Sequence, residues 1–145
     1  LQASFDCGDF VMDYSLSHSN GWRQFGDMDH GITFVGTKGT LQINRRGFQI
    51  FHEADRGSRK PYYSEEVNGD DTLHHHANFF DCVRSRKPAN ADAEAGYIGA
   101  VPGYLALISY RVGRLVRWDL KTGTIPEDAE AARLLTKEYR APWKL

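Results

Sequence analysis

The chain has 145 residues, 41% of them hydrophobic, with 18 basic and 19 acidic side chains and a net charge of −1. That length is one domain's worth, and that apolar fraction excludes wholesale disorder. The balanced charge gives no basic field for nucleic acid or an anionic membrane, no apolar run nears the ~20 residues of a spanning helix, and Cys7 and Cys82 are too few for a disulfide scaffold.

The first half predicts strands. Residue 1 is Leu rather than Met, and the opening residues already read as strand, so the chain is expected to be a piece of a longer protein. Phe10, Met12, Tyr14 and Leu16 alternate with Val11, Asp13 and Ser15, the period of a strand with one buried face. Cys7-Gly8-Asp9 before it reads as a tight turn, which makes the first two strands a hairpin. Ser17–Gly31 is a long polar loop carrying Trp22 and Arg23. Ile32–Val35, Thr40–Asn44 and Phe48–His52 form a meander, turning at Gly36–Gly39 and at Arg45-Arg46-Gly47. Ala54–Lys60 is a solvated loop, and Pro61–Val67 is a candidate for one further strand.

The second half predicts helices. Asp70 or Asp71 can cap a helix over Thr72–Ser85, which stops before Arg86-Lys87-Pro88. Asp92 can cap a long helix reaching about Gly113, with Ile98, Val101, Leu105, Ile108 and Val112 as its apolar stripe. Pro102-Gly103 should kink it. Arg114–Asp119 reads as a short extended segment. Pro126 fits the first position of a last helix, with Glu127 and Asp128 in its first turn and Ala131, Leu134 and Leu135 on its inner face.

Strands first and helices after predict an α+β fold: an open-faced, mostly antiparallel sheet with helices packed on one face. The other face must be solvated or cover a ligand or partner. Phe34, Phe48, Phe51, Tyr62 and Tyr63 are candidates for it, and the usual burial of aromatic side chains favours the core for each.

Few motifs carry chemistry. His74-His75-His76 cannot grip one metal ion from a helix, because successive side chains point about 100° apart. Zinc pairs on helices use i,i+3 or i,i+4 spacing, where His74 meets Ala77 and Asn78. A metal site would have to draw on Asp27, Asp29 and His30 from the loop; the expectation is no metal. Gly36-Thr-Lys-Gly39 lies between strands and reads as a hairpin turn rather than a phosphate loop. Arg111, Arg114 and Arg117, near Trp118, are expected to cover a helix end and pair with Asp119 or Glu138. No G-x-G-x-x-G, G-x-S-x-G, C-x-x-C or H-E-x-x-H occurs.

Four segments in order carry a resemblance: residues 34–51 (FVGTKGTLQINRRGFQIF), 75–97 (HHANFFDCVRSRKPANADAEAGY), 109–119 (SYRVGRLVRWD) and 128–145 (DAEAARLLTKEYRAPWKL). Together they resemble the C-terminal domain of the glucose–fructose oxidoreductase, inositol dehydrogenase and rhizopine-catabolism (Gfo/Idh/MocA) family, in particular its bacterial sugar dehydrogenases. The resemblance implies that residues 1–145 are one C-terminal domain. It also implies a Rossmann domain elsewhere in the parent that binds NAD or NADP, and hydride transfer to or from a sugar or cyclitol. The sheet's open face would bind substrate and support a homo-oligomer. The family's dinucleotide fingerprint and its Glu-Lys-Pro segment are absent here, and its D-x-x-x-H pair should lie before Leu1. Asp71 and His75 share only the spacing of that pair, so no catalytic residue is assigned. Tyr97 stands where relatives often carry His, and Pro102 interrupts a helix usually unbroken.

Three expectations follow. In the first, the chain is the substrate-binding and oligomerisation domain of a nicotinamide-dependent oxidoreductase, inert when isolated. It contributes substrate contacts from Trp22, Arg23 and His75, since Trp stacks on sugar faces and Arg donates to hydroxyls or carboxylates. No cofactor is expected within residues 1–145. The second is a free-standing dimerisation or ligand-binding module without catalysis. The third, a small metalloenzyme using His30, His75 or Asp29, has the least support.

Overall fold

The computed structural model describes residues 1–17, 30–55, 57–58, 60–67 and 72–143. The chain divides into two compact units, Leu1–Leu16 with Pro88–Leu145 and, separately, Ser17–Lys87. The fold is α+β, with two antiparallel sheets where the sequence predicts one.

In the first unit, β1 (Gln2–Asp6) pairs antiparallel with β2 (Val11–Ser15), Phe5 standing opposite Met12 and Ala3 opposite Tyr14. The predicted hairpin turn is present: Gly8 adopts φ 83° and its N–H donates to Asp6 Oδ1 at 2.9 Å. The predicted buried face is realised only weakly. Ala3, Phe5 and Met12 are half-buried, while Phe10, Val11 and Tyr14 stand exposed. A two-stranded ribbon has no second layer of its own on which to bury a face.

Helix α2 (Ala93–Val112) has the predicted limits at both ends. The Asp92 carboxylate accepts from the Ala95 N–H at 2.8 Å, satisfying a backbone donor that the first turn leaves free. At the other end Gly113 takes the left-handed conformation, φ 69°, and donates to the Ser109 carbonyl at 2.9 Å. The helix does not end at Pro102 but runs on through it. Its stripe is used over the C-terminal half: Ile108 is buried with Ile125 and Ala131, and Leu105, Val112, Val116 and Trp118 pack against them. Ile98, on the same stripe, is exposed. The indole Nε1 of Trp118 is buried and has no hydrogen-bond partner among the described residues.

The last helix differs from its prediction. α3 spans only Ala129–Arg133, and Asp128 is its N-cap, accepting from the Ala131 N–H at 3.0 Å. Pro126 and Glu127 lie in the turn before it. A capping carboxylate outweighs the preference of Pro for a first helical position. Ala131 is fully buried as predicted, but Leu134 caps the C-terminus, and both Leu134 and Leu135 are exposed.

In the second unit, β3 (Ile32–Gly36), β4 (Gly39–Asn44), β5 (Gly47–His52) and β6 (Tyr63–Glu66) form an antiparallel meander in that order. The turn Thr37-Lys38 closes the first hairpin, with Gly36 opposite Gly39, so that segment is a hairpin and not a phosphate loop. Arg45-Arg46 closes the second; the Arg46 N–H donates to Asn44 Oδ1 at 2.7 Å, the local side-chain bond that suits Asn to turns. A 3₁₀ turn at Glu53–Asp55 follows β5. α1 (Thr72–Ser85) has the predicted limits, and its proposed caps Asp70 and Asp71 lie outside the described residues.

Candidate functional site

The register of the four-stranded sheet sorts its side chains. Ile32 stands opposite Ile43, Phe34 opposite Leu41, Ile43 opposite Phe48, Leu41 opposite Ile50, and Ile50 opposite Tyr63. Successive residues of a strand point to opposite faces, so these seven side chains share one face, which also carries His52 and Glu65. The other face carries Thr33, Thr40, Gln42, Gln49, Ser64 and Glu66, with Val35 and Phe51 as its apolar members. The apolar face is open. Ile32 is 59% exposed, Phe34 57%, Tyr63 48% and Ile43 38%, and Leu41, Phe48 and Ile50 are half-buried. Phe48 and Tyr63 hold each other on this face, ring centroids 5.7 Å apart. At the end of β5, Tyr62 stacks on His52 with centroids 3.9 Å apart and planes 16° from parallel, and Tyr62 remains 67% exposed.

None of the five aromatic candidates is therefore core. Phe34, Tyr62 and Tyr63 are exposed, and Phe48 and Phe51 are half-buried. They do not share one face either, since Phe34, Phe48 and Tyr63 lie on one side of the sheet and Phe51 on the other. The general preference of aromatic side chains for burial presumes a second layer over the face that carries them.

Of the predicted substrate contacts, the described residues include His75. Trp22 and Arg23, like Asp27 and Asp29, lie outside them. His75 is an exposed residue of α1, its ring centroid 6.2 Å from that of His76. Among the described residues, no group of three or more His, Cys, Asp or Glu is placed to hold a metal ion.

Among the described residues the predicted arginine pairing forms at Arg114, with partners other than those expected. Its Nε donates to Asp128 Oδ2 at 2.9 Å, and its Nη2 donates to Asp128 Oδ1 at 2.7 Å and to Glu130 Oε2 at 2.8 Å. Nη1 reaches back to the Val112 carbonyl at 3.2 Å, and Ser109 Oγ donates to the Arg114 carbonyl at 2.7 Å. One carboxylate thus caps α3 and closes a two-point grip on the guanidinium beyond the C-terminus of α2. Such a fork is the strong form of an ion pair. Arg114 holds the Asp128 carboxyl below the usual carboxylate range, and the Ala131 N–H adds to the effect. The guanidinium is raised in turn, chiefly by Asp128 and then Glu130.

Asp119, the expected partner of the arginines, is engaged within its own turn. Its Oδ2 accepts from Thr122 Oγ1 at 2.8 Å, and its Oδ1 accepts from the Lys121 N–H at 2.8 Å. The Thr122 hydroxyl, then the Lys121 N–H, hold this carboxyl below its usual range. The turn is closed by the Asp119 N–H donating to the Thr124 carbonyl at 2.9 Å, with Gly123 at φ 64°. Asn and Asp side chains favour such local bonds to following backbone groups, a signal that Asp-Leu-Lys-Thr-Gly already carries. Asp128 was legible in the same way, as an Asp directly before a helical run.

Because Asp128 is stabilised as the anion, its contribution to folding is complete above the ordinary carboxylate value of 3.8 and is lost as the pH falls through the lower folded value. Asn caps helices about as well as Asp, so Asp128→Asn isolates the charge pairing. The variant is expected to unfold at a lower Tm than the wild type near neutral pH. The gap should close as the pH falls below 3.8. A gap that stays constant through the acid range would contradict the pairing.

Beside this clamp, Leu115, Arg117, Ile125, Glu127 and Asp128 line a shallow depression. Among the described residues Arg117 is its one cation, and Asp128, in its lining, is already committed to Arg114. The pairing of Arg114 with Asp128 and Glu130 ties the segment after α2 to the start of α3.

These features describe an α+β domain with one apolar sheet face left open. The family model described as "Oxidoreductase family, C-terminal alpha/beta domain" matches residues 51–145. The chain belongs to this family, the Gfo/Idh/MocA oxidoreductases, through its C-terminal domain. No curated protein and no solved structure matches the chain. The described residues do not fit a dinucleotide: every described strand pair is antiparallel, whereas the pyrophosphate cradle needs a parallel β–α–β unit with its glycine-rich turn.

Proposed function

We propose that this chain is the substrate-binding and oligomerisation domain of an oxidoreductase that transfers hydride between NAD or NADP and a sugar or cyclitol. The observation that carries this reading is the family match over residues 51–145. In this reading the nicotinamide is held by a Rossmann domain of a longer parent chain. The isolated domain is then inert, since hydride transfer needs the cofactor's reactive carbon held against the substrate. Trp22, Arg23 and His75 contribute contacts to the sugar. The open sheet face of Phe34, Ile43 and Tyr63 meets the same face of another copy. The exposure of Ile32, Phe34, Ile43 and Tyr63 on that face supports this role, because contiguous exposed apolar surface marks an interaction site.

The test uses the full parent enzyme, following NAD(P)H absorbance against a panel of aldoses, ketoses and cyclitols. Turnover with a member of the panel is expected. Trp22→Ala, Arg23→Ala and His75→Ala are each expected to raise KM several-fold with little change in Tm. Absence of NAD(P)-linked turnover across the panel would overturn the oxidoreductase reading. Unchanged KM in all three variants would remove these residues from the substrate site while leaving that reading in place.

A further inference from the structure

We draw no further inference here: the strongest candidate, the exposed apolar face of α1 formed by Leu73, Phe79, Phe80 and Val83, carries nothing because nothing in the structure shows what covers it.

Discussion

Ile108→Ala is expected to cost about 2–5 kcal/mol of folding stability, the range for truncating a buried aliphatic side chain. Ile108 is 4% exposed and sits with Ile125 and Ala131 at the centre of the first unit's core. Leu105, Val112, Val116, Trp118 and Ala132 pack around that centre. Removing three carbons from Ile108 loses their transfer free energy and leaves a cavity that its neighbours cannot all move to fill. Because Ile108, Ile125 and Ala131 are the buried hydrophobic residues among those described, few other contacts can compensate. Urea unfolding of Ile108→Ala beside Ile98→Ala makes the comparison sharp. Ile98 lies on the same helical stripe but is 59% exposed, so its truncation should cost much less. Equal losses in the two variants would contradict the placement of the core.

Gly47→Val is the second large effect. Gly47 opens β5 at φ 140°, a backbone conformation that side chains rarely adopt. A Cβ at this position would run into the Glu65 carbonyl oxygen, and would lie 2.9 Å from the Glu65 carbonyl carbon and 3.0 Å from the Glu66 Cα. Backbone strain of this kind costs about 1–3 kcal/mol, and the overlap with β6 adds to it. The chain cannot relieve the contact cheaply, because Gly47 pairs with Glu66 and the adjacent Arg46 carbonyl accepts from the Val67 N–H at 2.7 Å. Amide exchange should therefore show the β5–β6 pairing opening in Gly47→Val while the β3–β4 hairpin keeps its protection. Unchanged protection of the Tyr63–Glu66 amides would contradict the close approach of these strands.

Much of the fold is legible in local sequence, and the exceptions have a common cause. The ends of α2 follow from Asp92 and Gly113, whose capping depends only on neighbouring backbone groups. The limits of α1 and the order of the meander are likewise local. What sequence reasoning misses lies in tertiary choices. The fork between Arg114 and Asp128 joins groups 14 residues apart across a turn, and nothing in the spacing distinguishes it from a pairing with Asp119. The turn at Asp119 removes that alternative by using the carboxylate locally. Burial is the harder case. The five aromatic residues read together as one face are divided by the register, with Phe34, Phe48 and Tyr63 on one side and Phe51 on the other. A core reading of Phe34 and Tyr63 holds only if a second layer covers them, whereas both stand exposed. For the candidate site, the histidine run yields an exposed helical position for His75, and Trp22 and Arg23 rest on the resemblance and on the chemistry of their side chains.

Assembly through the open sheet face is the part of the functional reading that a solution measurement reaches most directly. Light scattering after size exclusion gives the mass of the wild-type protein and of Phe34→Lys, with circular dichroism confirming that both are folded. Phe34 is 57% exposed on the edge strand β3, so a lysine there should leave the fold of one copy intact while placing charge in the shared apolar face. The wild type is predicted to elute as a dimer or larger, and Phe34→Lys as a folded species of lower mass. A monomeric wild type, or a Phe34→Lys protein that keeps the wild-type mass, would contradict assembly through this face.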